Sequence, residues 1–233
     1  MTMNGEILPA PEEKTQAVRS MFDAIAPRYE FVNRMMTFGL DSRWRKKTVV
    51  SLGLPQGSLI IDLACGTGDL SRTASEQGLQ PIGADLSFGM LAASHGTGPL
   101  FQGDASQLPV RSASVDGLVC GYALRNFTDL NAAFSEMARV LRPGGRLALL
   151  EVGAPQGALI KRGYSVWFDH MVPIIGGFLS DKKAYRYLPA STVYLPSGEE
   201  IRERLIARGF SGVNHHQLSG GLSQLFTATR SGS

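Results

Sequence analysis

The chain has 233 residues, 43% hydrophobic and 18% charged, enough apolar mass for one large or two small packed domains, with disorder confined to the ends. Lys and Arg exceed Asp and Glu by only three (23 against 20), yet the pI is near 9.0. Two cysteines (Cys65, Cys120) without CxxC spacing, and four histidines (His95, His170, His215, His216) without a spaced ligand set, exclude a disulfide framework and argue against a metal site.

The N-terminal MTMNGEILPAPEEK lacks the apolar core of a secretory signal and reads as a loose arm, residues 1–14, on a cytoplasmic protein. Residues 15–54 read as a helical cap: Val18, Met21, Phe22 and Ile25 recur at helical spacing, and Pro27 marks a restart. Arg43, Arg45, Lys46 and Lys47 form a basic cluster, suited to nucleic acid or anionic lipid, or simply a solvated helix surface.

From residue 55 to 154, short apolar runs alternate with helical stretches: SLIIDLA, GDLSRTASEQG, LQPIGADL, SFGMLAASHG, GPLFQGDA, SVDGLVCGYAL, TDLNAAFSEMARVL and GGRLALLEV, with PGG at 143–145 as punctuation before the last. That rhythm predicts an α/β fold, a parallel sheet with crossover helices. Cys65 and Cys120 fall at neighbouring strand ends. Residues 155–195 form a long aromatic insert whose apolar run is broken by Lys161, Arg162 and Asp169, so it cannot span a membrane, which needs about 20 apolar residues. A helix capped by Ser197 and two late strands complete the single domain at residue 230.

The first strand runs into Asp62-x-x-x-Gly66-x-Gly68, where glycines allow a sharp turn and close approach of a ligand to the backbone. A dinucleotide fingerprint asks for a third glycine where Ser71 stands, which counts against NAD. Asp85 closes the second strand, where a carboxylate accepts ribose hydroxyls, and Asp104 closes the third, where it and the Ala105 amide suit an adenine edge. Singly, these acids are ordinary turn or cap residues; at adjacent strand ends they form a series.

DLACGTG, GADLS and GDASQLP together resemble the class I S-adenosylmethionine-dependent methyltransferases. The resemblance implies a doubly wound, mostly parallel seven-stranded sheet of order 3-2-1-4-5-7-6 with strand seven antiparallel. It also implies that Gly66, Thr67 and Gly68 border the methionine part of the cofactor, that Asp85 holds the ribose, that Asp104 with Ala105 holds the adenine, and that Asp62 is among the cofactor-binding residues. Three further segments, MFDAIAPRYEFVNRMMTFGLDSRWRK, GYALRNFTD and YRYLPASTVYLP, resemble the ubiquinone and menaquinone C-methyltransferase family from about Val18 to Arg230. This implies C-methylation of a reduced polyprenylated quinone ring, demethylmenaquinol to menaquinol foremost, with a 2-polyprenyl benzoquinol or another phenol as the alternative. The chain departs from the family at Asp41 and Ser42, where relatives often carry histidine, and at Gly121, where many carry a serine that touches the cofactor.

A ring carbon becomes nucleophilic when an adjacent quinol hydroxyl ionises, so the site needs a group that holds a phenolate. Arg125 is always charged and is cast as that partner rather than as the base, with Asn126 donating an amide hydrogen bond and a water, Tyr29 or Asp129 relaying the proton. The plain alternative makes Arg125 a surface ion pair and Asn126 a helix cap. Trp167, Phe168, Met171, Ile174, Ile175 and Phe178 are either core or a groove for the prenyl tail, which with the basic cap favours transient membrane-surface contact. Tyr185, Tyr187 and Tyr194 pack the cap or close the ring pocket. No stacking and basic interleaving suggests RNA, so no nucleic-acid partner is expected.

Overall fold

The computed structural model describes residues 13–26, 30, 34, 37, 39–153, 187 and 191–232. Tyr29, the N-terminal arm up to residue 12, and the insert residues Trp167, Phe168, Met171, Ile174, Ile175, Phe178 and Tyr185 lie outside them.

Each apolar run of the alternating segment becomes a strand: β1 (Leu59–Leu63), β2 (Gln80–Asp85), β3 (Leu100–Gln102), β4 (Val115–Gly121) and β5 (Leu141–Val152) are parallel. β6 (Phe210–Leu218) and β7 (Ser223–Arg230) follow, with β7 antiparallel to both its neighbours, and the sheet order is 3-2-1-4-5-7-6. Cys65 follows β1 and Cys120 pairs with Leu63 across to β4; both thiols are buried, which raises their pKa and keeps them protonated.

Helices cover both faces, so successive strand residues enter two different cores. Ile61, Leu63, Leu118, Leu147 and Leu149 pack with Phe134 and Met137 of α5 (Leu130–Val140) and with Ile201 and Leu205 of α6 (Gly198–Ala207). Ile60, Val119, Ala148 and Leu150 pack with Trp44 and Val49 of α2 (Asp41–Val50) and with Leu70 and Ala74 of α3 (Asp69–Glu76). Fully burying one such side chain stabilises the fold by about 1.5–3 kcal/mol. Two further helices among the described residues are α1 (Lys14–Ile25), which stops two residues ahead of Pro27, and the short α4 (Phe88–Ala92).

Side chains fix the helix starts. Ser197 caps α6 as expected, in a reciprocal box: Ser197 Oγ accepts from the Glu200 amide at 3.2 Å and Glu200 Oε2 accepts from the Ser197 amide at 2.8 Å. Asp129 caps α5, accepting from the amides of Asn131 (2.8 Å) and Ala132 (3.0 Å). The cap is therefore Asp129 and not Asn126. PGG at 143–145 also differs from expectation. It does not separate helix from strand, because β5 begins at Leu141 directly after α5. Leu141 pairs with Val115 and Arg146 with Gly117, so Arg142–Gly145 bulge against Asp116 alone, with Gly144 at φ 79° and an Arg142–Asp116 ion pair closing the bulge.

Candidate active site

The strand order reverses between β1 and β4, and the carboxyl ends of these strands open a crevice there. A cavity of about 340 Å³ occupies it, lined by Asp62 to Thr67 after β1, Asp85 to Ser87 after β2, Gly103 to Ser106 after β3, and Gly121, Tyr122, Ala123 and Asn126 after β4. Thr15, Val18, Arg19 and Phe22 of α1 form another wall. That helix is fastened at both ends across the opening. Lys14 Nζ donates to the Phe127 carbonyl at 2.9 Å and sits 4.2 Å over the Tyr194 ring, while Asp23 accepts from Ser87 Oγ (2.6 Å) and the Gly89 amide (2.8 Å).

Two residues without glycine's freedom adopt left-handed backbone at this rim: Ala64 (φ 54°) just after β1 and Tyr122 (φ 60°) just after β4. Each such conformation costs about 1–3 kcal/mol and persists where surrounding structure holds it, typically at functional sites. The Tyr122 hydroxyl is held by Ser223 Oγ at 3.0 Å, and burial raises its pKa.

Asp62 is fully buried. Its Oδ2 accepts from Ser71 Oγ at 2.7 Å, whereas its Oδ1 has no partner among the described residues. Burial pushes its pKa up to about 7, against the pull of Ser71 and the more distant Arg45. Asp85 bridges two loops: Oδ2 accepts from the Gly66 amide and Oδ1 from the Ser87 amide, both at 2.8 Å, with burial again raising its pKa. Each of its oxygens keeps a second lone pair. Asp104 is more exposed and folds a turn, its Oδ1 accepting from the amide (2.8 Å) and hydroxyl (2.6 Å) of Ser106.

The cavity thus brings together Asp62, Gly66, Thr67, Asp85, Asp104, Ala105, Gly121 and Asn126. Gly68 and Arg125 are not on its wall. Gly68 starts α3 at φ 89°, and a Cβ there would stand 2.5 Å from the Gly96 Cα, so its glycine serves backbone packing. A Cβ on Gly121 would meet Leu70 Cδ1 at 2.8 Å, which explains how this chain accommodates glycine there: Leu70 fills the space.

Arg125 is neither a surface residue nor an open cation. It is 6% exposed and ion-paired to Glu151, itself 0% exposed, while Nε donates to Ser191 Oγ (3.1 Å) and Nη1 to the Tyr122 carbonyl (2.8 Å). Its neighbour Asn126 lines the cavity, and Asn126 Oδ1 accepts from the Tyr187 hydroxyl at 3.3 Å. Burial pushes the Tyr187 pKa up to about 12, so that hydroxyl stays a donor. Asp129 also lines the cavity, but as the α5 cap its Oδ1 is already engaged.

Two further residues, Glu151 and Arg45, belong to the site. Glu151 was visible as one acid inside the apolar LALLEV, a placement that demands a buried partner. Arg45 was grouped with a basic surface, yet only Arg43, Lys46 and Lys47 are exposed. Arg45 falls on the buried stripe Asp41, Trp44, Arg45, Thr48, Val49 of α2 and lines the cavity.

Comparison with known proteins agrees with this geometry. Solved structures share the architecture: a methyltransferase from Thermotoga maritima described as a possible histamine N-methyltransferase (TM-score 0.65, 21% identity, 91% of this chain and 99% of that one). Magnesium protoporphyrin IX methyltransferase from Synechocystis with bound S-adenosylmethionine gives TM-score 0.62 at 20% identity, covering 94% of this chain and 97% of that one. The fold is that of the class I methyltransferases. Among curated relatives, the ubiquinone/menaquinone biosynthesis C-methyltransferase of Syntrophotalea carbinolica is 38% identical over 93% of this chain and 95% of its own length. The demethylmenaquinone methyltransferase of Roseiflexus castenholzii is 36% identical over 99% of this chain and 100% of its own. With the model of the ubiE/COQ5 methyltransferase family matching residues 10–230, the chain belongs to that family.

Proposed function

We propose that this methyltransferase moves the methyl group of S-adenosylmethionine to a ring carbon of a reduced polyprenylated quinone, demethylmenaquinol foremost. The observation that carries the reading is a single cavity that joins the acid series of β1, β2 and β3 to Asn126 at the end of β4, in a chain whose relatives bear those quinone names.

The residues present fit the cofactor. Asp62 Oδ1 is a buried acceptor lacking a partner among the described residues, suited to an ammonium; Gly66 and Thr67 border the same end, with Gly68 behind them holding the loop. Asp85 has lone pairs for ribose hydroxyls, and Asp104 with Ala105 lies at the β3 end for the adenine. Gly121 borders the cofactor through its backbone. When bound, the cofactor supplies an electrophilic methyl on a sulfonium centre.

The remaining work falls to the chain. A phenol-type hydroxyl ionises near pH ~10, so the site must favour its anion. Asn126, with Oδ1 taken by Tyr187, offers its NH2 group to the quinol oxygen. Arg125 supports it from behind, held by Glu151, with its charge largely balanced by that carboxylate. Tyr29 and water are the proton relays in this reading. The phenolic proton leaves first; the ring carbon–methyl bond then forms as the sulfur–methyl bond breaks, and the hydrogen on that same ring carbon is lost as a proton while the oxygen regains one, which restores the aromatic quinol. The prenyl tail implies transient contact with a membrane surface, for which Arg43, Lys46 and Lys47 offer exposed positive charge.

The test supplies S-adenosylmethionine labelled in its methyl group together with demethylmenaquinol, its oxidised quinone, a polyprenyl benzoquinol, simple phenols or RNA. Label entering the quinol and not the quinone is the expected result. Label entering another acceptor and not the quinol would overturn the proposal.

A further inference from the structure

Two residues that line the cavity each carry a buried polar atom without a partner among the described residues, and the two are of opposite kind: the acceptor Asp62 Oδ1 and the donor Arg45 Nε. Arg45 is 9% exposed. Its other nitrogens are committed: Nη1 to Asp69, and Nη2 to Asp41 at 3.5 Å. Both carboxylates are themselves anchored, Asp41 by Thr37 Oγ1 at 3.1 Å and Asp69 by Arg72. The guanidinium is therefore set in place by two acids, Asp41 one turn earlier on its own helix and Asp69 on α3, with Nε as the donor left over.

A buried donor is costly to leave unpaired, so the arrangement calls for an acceptor beyond the described residues, which a ligand in the cavity would supply. Charge limits the choice. Arg45 and Arg72 already balance Asp41 and Asp69, so a bare anion would add an uncompensated charge to a buried cluster. An α-amino acid group carries a carboxylate for Nε and an ammonium for Asp62, and its net charge is zero. The place also matches: α2 packs on α3, and α3 begins directly after the glycine loop that follows β1.

We propose that Arg45 is a cofactor-binding residue, its Nε hydrogen-bonding the carboxylate at the amino-acid end of S-adenosylmethionine opposite Asp62. This rests on the reading that the cofactor occupies the cavity. It makes the ion cluster of α2 and α3 a selector for the intact amino acid.

The test is calorimetric binding of S-adenosylmethionine and of its decarboxylated analogue to the wild-type protein, Arg45→Gln and Arg45→Lys. The wild type is expected to prefer the intact cofactor by about tenfold or more, corresponding to a charge-assisted hydrogen bond. Arg45→Gln is expected to weaken the intact cofactor by ~10–100-fold while changing the analogue by less than about threefold, so the preference collapses; Arg45→Lys retains part of it. Equal wild-type binding of the two ligands overturns the proposal without any variant, so it stays testable even where a variant does not fold. Equal weakening of both ligands in Arg45→Gln also overturns it, because that is the mark of a purely structural role. Failure of the wild type to bind the intact cofactor removes this proposal and the cofactor reading together, whereas binding without discrimination removes this one alone.

Discussion

Asp62→Asn should make the protein more stable above neutral pH while removing its grip on the cofactor. Asp62 is fully buried, and its pKa is raised to about 7 chiefly by desolvation. An unfolded aspartate titrates near ~3.9, so the fold disfavours the ionised form over about three pH units, or roughly 4 kcal/mol. The sign follows from which form burial penalises. Below pH ~4 the group is protonated in both states and the penalty is absent; it grows as pH rises and is complete above about 7. Asparagine is neutral at every pH and retains a carbonyl oxygen for Ser71 Oγ. In urea unfolding of the ligand-free protein, the stability of Asp62→Asn relative to wild type should therefore rise by about 3 kcal/mol between pH 5 and pH 8. Because both proteins share every other titrating group, the difference isolates Asp62. The same variant should bind S-adenosylmethionine at least about tenfold more weakly at pH 8, since a neutral amide cannot neutralise an ammonium. A stability gap that stays constant with pH would refute the reasoning.

Asn126→Ala should lower kcat by about 10²–10³-fold with cofactor affinity unchanged in calorimetry, as expected for loss of one donor to developing negative charge. Glu151→Ala leaves Arg125 as an uncompensated buried cation and should cost roughly 3–5 kcal/mol in denaturant unfolding; a loss below ~1 kcal/mol would mean that Arg125 is held by other groups. Gly68→Ala forces a Cβ to 2.5 Å from the Gly96 backbone at a φ of 89°, so it should destabilise by more than about 1 kcal/mol, read as a lowered Tm.

Much of the fold was readable because it is local. Short apolar runs and the helical stretches between them marked β1 to β5, and Ser197 marked the start of α6. The strand order itself came with the family resemblance, since alternation alone leaves the order of parallel strands open. PGG was misplaced because Pro-Gly-Gly is the same punctuation for a loop and for a bulge; only pairing with β4 distinguishes them.

For the site, the sequence by itself determined the acids and glycines that end successive strands, because strand ends in such a fold converge at the switch point wherever the helices pack. Which polar groups meet there was decided only by the tertiary structure. Arg125 and Glu151 lie 26 positions apart, Arg45 and Asp69 lie 24 apart, and Asn126 and Tyr187 lie 61 apart. A charge in a sequence carries no mark of its partner. Desolvation makes the pairing obligatory once the fold buries these groups, which turns Arg125 from an open cation into a paired one and Arg45 from a surface charge into part of the cavity wall.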